Sequence, residues 1–164
     1  SFLVFFRKVS KDRSFFAQWL AHLSIGLFIV AAVYTEQFDY EKNITFEKGD
    51  SNEIVLNEGT SLLLENIKDS DLSNHQKISV DLIVVEKNLK YSLSPSKNIY
   101  QPSGQVTNEV STVNRYFDQY YATISMIESD KVSINLVFKP FINLLWISSI
   151  LLVFSIFLSI IKRK

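Results

Sequence analysis

Residues 15–34, FFAQWLAHLSIGLFIVAAVY, run for 20 positions without an Asp, Glu, Lys or Arg. As an α-helix such a run is about 30 Å long, the thickness of the hydrocarbon core of a bilayer. A second run of this kind occupies residues 141–161. Together they constrain the fold more than any other feature. Both are expected to cross a membrane as helices, and everything between them must then lie on one side of it. One ionisable group sits inside the first run, His22.

The charges give the orientation. Hydrophobic residues make up 47% of the chain, and the surplus is concentrated in the two runs. A formal net charge of zero hides a partition. Arg7, Lys8, Lys11 and Arg13 against Asp12 give +3, and Lys162, Arg163 and Lys164 give another +3. The segment between carries ten basic and sixteen acidic residues, a net −6. Under the positive-inside rule both basic flanks stay in the cytoplasm or its equivalent, and residues 36–138 face the other side. No basic patch suited to nucleic acid is present, which removes that class of partner. The chain has no cysteine, so any redox chemistry needs a cofactor or the thiols of a partner. It opens on Ser1, and residues 1–6, SFLVFF, read as the tail of an earlier membrane helix in a longer protein. The first run has no small-residue cleavage site and does not resemble a signal peptide.

Between the spans the pattern changes to short β segments. Residues 44–47 and 53–56 read as strands joined by a KGDSN hairpin turn, with Gly49 supplying the special backbone conformation. Segments 61–67, 78–86 and 89–93 follow, the second alternating through Ile78, Val80, Leu82 and Val84. Residues 68–77 read as a solvated loop, and 114–121 as a turn or short helix. Segments 121–127 and 132–138 form a last hairpin around ESDK. Six or seven strands without a long helix predict a small antiparallel β domain, a barrel or a sandwich. Pro140 cannot donate to a ladder but suits the first turn of a helix, so the β domain is expected to end there. Trp146 falls near the outer end of the second span, where an indole is comfortable. The fold class is therefore membrane α plus β, with two transmembrane helices flanking an outward β domain. Its divisions are a cytoplasmic flank at 1–14, a helix at 15–34, the domain at 35–138, a helix at 139–161 and a tail at 162–164.

His22 lies in the cytoplasmic half of its span, with Phe15, Gln18, Trp19, Ile25, Gly26 and Ile29 on or beside its face. Ionisable residues at membrane depth are costly and mark pathways, cofactors or interhelical hydrogen bonds. The residues alone leave three readings: a hydrogen bonder to a neighbouring helix, a proton relay, or a metal ligand such as an axial ligand of haem iron. Gly26 leaves room for a flat group or another helix. Elsewhere the signals are weak. His75 lies in a polar stretch and reads as solvent-exposed. Glu65, Asp69 and Asp71 read as a solvated rim, not as a general acid–base pair. Asn43-Ile44-Thr45 is a glycosylation sequon of low specificity.

Four stretches resemble one family in order and spacing. Arg13-Ser14-Phe15-Phe16 leading to Ala21-His22-Leu23 is similar to an Arg-Ser-aromatic run before a Gly-His-Leu-Gly box in a transmembrane helix. Leu93-Ser94-Pro95-Ser96-Lys97 through Thr107-Asn108-Glu109 is similar to a Pro-x-Lys/Arg motif followed by a Thr-Glu box. Phe117-Asp118-Gln119-Tyr120-Tyr121-Ala122 is similar to an Arg-Asp-Leu-Tyr-x-Ala strand, and Phe138-Lys139-Pro140-Phe141 with Trp146 to the start of a final helix. The chain thus resembles the C-terminal quarter of the CcmF family, membrane haem lyase subunits of cytochrome c maturation. Ala21 and Ser24 stand where that family has glycines, and Asn108 precedes Glu109.

The resemblance implies that His22 is one of two axial ligands of a transmembrane haem b, the other lying outside these residues. It implies handling of haem delivered by the chaperone CcmE and, with a CcmH-type thiol partner, its attachment to apocytochrome c. There the thiols of a Cys-x-x-Cys-His motif add across the haem vinyl groups. No catalytic residue is identifiable in these 164 residues. The expected location is a bacterial inner membrane with residues 35–138 periplasmic, or a mitochondrial inner membrane with that segment in the intermembrane space. Two rival readings are a membrane-anchored, non-enzymatic assembly factor with a β interaction domain, and a transporter piece in which His22 relays protons.

Overall fold

The computed structural model describes residues 13–47, 53–57, 59–87, 89–128 and 131–161. The basic flanks at 1–12 and 162–164 and the KGDSN segment lie outside them. The chain divides into two compact units, one helical, including Tyr116–Asp118, and one β, Tyr40–Arg115 with Gln119–Phe138.

In the helical unit, helix α1 spans Arg13–Phe38 and helix α2 spans Ile142–Ile161. Both are long and apolar enough to cross a bilayer, and only 22% and 11% of their apolar windows are buried within the chain. A core helix of a soluble protein would hide most of that surface; these helices direct it outward. They pack on each other through small residues. Ala17, Ser24 and Ala31 recur every seven positions on α1 and are buried, as are Ser148 and Ser155, seven apart on α2. Small side chains let two backbones approach closely in a membrane, where no hydrophobic effect drives helices together. The seam hydroxyls are satisfied inside their own helices: Ser24 Oγ donates to the Leu20 carbonyl at 2.7 Å, Ser148 to Leu145 at 2.8 Å and Ser155 to Leu152 at 2.7 Å.

The end of α1 is fastened to the start of α2. Thr35 Oγ1 donates to the Pro140 carbonyl at 2.7 Å, Lys139 pairs with Asp39, and the rings of Tyr34 and Phe141 meet edge-on at 5.4 Å. Pro140 and Phe141 form the turn that precedes α2.

Among the described residues the β unit has ten strands, three or four more than the six or seven that the alternation predicts. In order they are β1 (Tyr40–Glu47), β2 (Glu53–Asn57), β3 (Thr60–Asp71), β4 (His75–Glu86), β5 (Leu89–Leu93), β6 (Ser96–Tyr100), β7 (Val106–Glu109), β8 (Ser111–Arg115), β9 (Asp118–Ile127) and β10 (Lys131–Lys139). One sheet runs β1-β10-β9-β8 and the other β2-β3-β4-β6-β7, with β5 also on β4. The sheets are not closed into a barrel. Their inward residues form one core: Phe46 on β1, Leu62 on β3, Val80, Leu82 and Val84 on β4, Leu93 on β5, Ile124 on β9, and Ile134 and Leu136 on β10, all fully buried. Each contributes about 1.5–3 kcal/mol by leaving water. The domain is a sandwich of two antiparallel sheets.

Two expectations are corrected. The strands flanking the KGDSN segment do not form a hairpin, because β1 pairs β10 while β2 pairs β3; Gly49 and the rest of that segment lie outside the described residues. Residues 68–77 are not a loop. β3 and β4 continue pairing out to Asp71 opposite Gln76, leaving only 72–74 as the turn. Their polar side chains hid the extension, because cross-strand pairs such as Asp69 with Gln76, at 3.0 and 3.1 Å, replace hydrophobic alternation there. At 114–121 only Tyr116 and Phe117 form a turn; the rest is strand. β5 and β6 lie along successive parts of β4, and Pro95, with no N–H to donate, separates them.

Candidate functional site

α1 carries His22 about 200° around the helix axis from Ser24, at 100° per residue. The seam with α2 is therefore on the far side, and His22 is exposed on the open face. Its Nδ1 lies 2.7 Å from the carbonyl oxygen of Gln18, one turn earlier. A carbonyl only accepts, so Nδ1 carries the proton. In the Nδ1–H tautomer the lone pair is on Nε2, at the opposite end of the ring from that bond. This is the arrangement that orients a metal-binding histidine: one nitrogen donates to a fixed acceptor and the other is left to coordinate.

The surroundings suit a flat apolar group. Ile25 and Ile29, both within about 60° of the His22 line and on the same side of it, are exposed, and Leu23 is exposed beside it. At Gly26 nothing lies within 4 Å of where a Cβ would be, so that side of the helix is open. α2 does not use the space, since its seam runs through the other face. Among the described residues no group of three or more His, Asp or Glu could hold a metal ion. A single imidazole on an apolar wall fits an iron whose equatorial ligands come with a porphyrin.

The other sequence candidates do not converge with His22. His75 is the first residue of β4, half-buried rather than in a solvated loop, with Nδ1 2.7 Å from Asn74 Oδ1 and its ring 5.0 Å from that of Tyr100. Glu65 is the extra residue of a bulge in β3, and Asp69 and Asp71 follow on the same strand, all exposed. They form no acid–base pair. Asn43 lies in β1 opposite Asn135.

Two arrangements escaped the sequence reading. Glu109, at the end of β7, accepts from Lys77 Nζ at 2.8 Å, Ser96 Oγ at 2.5 Å and Asn98 Nδ2 at 3.0 Å. Those donors hold its carboxyl down at about 2. Ser96 and Asn98 are buried, so this cluster ties the edge strand β7 to β6 and β4. The second is the Tyr116–Phe117 turn with Asp118 after it, which caps α2. The Asp118 carboxylate accepts the Phe141 N–H at 3.0 Å, and the Phe117 carbonyl accepts the Asn143 N–H at 3.0 Å. Two N–H groups at the helix start, which would otherwise lack partners, are satisfied from a distant part of the chain. Burial raises the Tyr40 and Tyr120 phenols in the β unit, which keeps both neutral.

Comparison with known proteins finds similarity to proteins of one name by sequence and by structure. No family model matches the chain. By sequence the whole chain is similar to the cytochrome c-type biogenesis protein CcmF of Haemophilus influenzae, with 25% identity over 167 aligned positions. By structure it is similar to a solved chain described as cytochrome c heme lyase CcmF, with a TM-score of 0.69 and 12% identity over 90% of this chain. The structural likeness extends the two helices and the β sandwich to a fold already seen. The chain spans about a quarter of the length of each, 25% and 24%. The sequence similarity supports a CcmF region, and the structural similarity shows that the fold is the one seen there.

Proposed function

With a CcmF region as the premise, we propose that this chain is the C-terminal part of a haem lyase subunit in cytochrome c biogenesis and that His22 is an axial ligand of a transmembrane haem b. The observation that carries this reading is the bond from His22 Nδ1 to the Gln18 carbonyl. It fixes the tautomer and keeps the lone pair on Nε2, on the face that α2 leaves open. When bound, the haem supplies one-electron chemistry. The chain's own part is to hold an imidazole nitrogen unprotonated at one depth in the membrane and to line its neighbourhood with Leu23, Ile25 and Ile29. The second axial ligand belongs to a helix outside these residues.

On this reading both helices cross the membrane and the sandwich faces the periplasm or intermembrane space. It serves there as a docking surface for haem delivered by CcmE, for a CcmH-type thiol partner and for apocytochrome c. The chain supplies none of the thiols, in keeping with its lack of cysteine.

The test is complementation with the full-length protein carrying His22→Asn or His22→Gln. Both variants keep a polar group that can hydrogen-bond between helices but cannot replace an imidazole on iron. Cytochrome c yield should fall at least tenfold with either. Normal yield with both would favour the rival reading of a passive, membrane-anchored assembly factor.

A further inference from the structure

We propose that the Tyr116–Phe117 turn is a third membrane contact, lying in the headgroup layer beside the outer ends of the two helices. The inference rests on the reading that α1 and α2 cross a bilayer. The turn belongs to the helical unit although it links two strands of the sandwich. Tyr116 is 87% exposed and Phe117 48%, which is unusual for two adjacent aromatic rings at a turn tip in water. The turn keeps company with the span ends, Tyr116 through its backbone carbonyl and Phe117 through its ring. The Phe117 ring lies nearly parallel to Phe141, 12° between planes and 6.5 Å between centroids, and Phe141 in turn meets Tyr34. Phe38 and Trp146 are exposed on the same ends of α1 and α2. Aromatic rings at this level form the belt that marks a membrane–water boundary.

Two further observations point to lipid as the occupant. The turn's carbonyls are satisfied within the protein: Tyr116 O accepts from Asn143 Nδ2 at 3.0 Å and Phe117 O from the Asn143 N–H at 3.0 Å. A turn exposed to water needs no such partners, whereas one near the hydrocarbon does, because no water is there to satisfy an unpaired backbone group. In addition, Tyr116 and Phe141 both hold left-handed backbone, at φ 48° and 56°. Bulky residues adopt that conformation at a cost, where Gly or Asn would be easier. Keeping rings at these positions is explained if the rings themselves have something to bind.

These 164 residues contain no cysteine, which suits single-site labelling within them. The full-length protein, with any cysteine outside these residues replaced by serine, would be reconstituted in vesicles of phosphatidylcholine and phosphatidylglycerol and spin-labelled at Tyr116→Cys or, separately, Phe117→Cys. Collision with oxygen, which concentrates in lipid, is compared with collision with a water-soluble nickel chelate. Ile25→Cys, at the middle of α1, and Ser73→Cys, in the β3–β4 turn, serve as references. Labels at 116 and 117 should fall between the two, with oxygen exceeding the chelate several-fold relative to position 73. Chelate access equal to that at 73 would overturn the proposal, and so would exclusion of both reagents, which would mean a protein contact. Chelate access at 25 as well would overturn the spanning reading itself, a distinguishable failure.

Discussion

His22 and Ser24 are two residues apart on α1 and face opposite ways. Ser24 is fully buried in the seam with α2, while His22 is exposed with its Nδ1 on the Gln18 carbonyl. One face of the helix is thus committed within this chain and the other is presented to something else. The candidate site depends on that division of labour.

The seam should be intolerant of bulk. Ser24→Leu forces the two helices apart and is expected to cost about 1–3 kcal/mol. Ser24→Ala removes a hydroxyl already satisfied within its own helix and should change stability by less than about 1 kcal/mol. Thermal unfolding of both variants in detergent measures the difference. Equal effects would mean that close helix approach is not what Ser24 provides.

The cap on α2 should depend on an acceptor at position 118. Asp118→Ala is expected to destabilise by about 0.5–2 kcal/mol, and Asp118→Asn by less, since it keeps an oxygen for the Phe141 N–H. Denaturant unfolding of the two variants side by side would show the order. A larger loss with Asn would contradict the capping role.

Glu109 sets a pH dependence with a definite sign. Its carboxyl is lowered from an ordinary 4.5 to about 2 by Lys77, Ser96 and Asn98. A depressed carboxylate contributes stability that is fully present above pH 4.5 and is lost as pH falls through about 2. Acid unfolding followed by circular dichroism should therefore have a shallower slope between those values in Glu109→Gln than in the unaltered chain. Identical slopes would show that the cluster does not favour the ionised form.

How much of this was legible in the sequence follows from what each element depends on. The two spans need only length and apolarity, and both were plain. So were β4 and β10, whose alternation comes from one face meeting the core. β6, β7 and β8 were missed because Ser96, Asn98 and Glu109 pair through polar contacts, and hydrophobic periodicity cannot register them. The same cause hid the extension of β3 beyond Ile67. His22 stood out because an imidazole among apolar residues is rare. Its fixed tautomer did not, since that depends on helix geometry at Gln18. The seam left a trace, the seven-residue spacing of Ala17, Ser24 and Ala31. The Tyr116–Asp118 cap left none, because its partner Asn143 lies 25 residues or more away in sequence.

The most direct test of the haem assignment is the reduced-minus-oxidised visible spectrum of the purified full-length protein with His22→Gly, recorded with and without added imidazole. If His22 ligates the iron, the unaltered protein should show low-spin b-type bands that are lost or shifted in the variant and return when imidazole enters the space left at position 22. Unchanged b-type bands in the variant without imidazole would contradict the assignment.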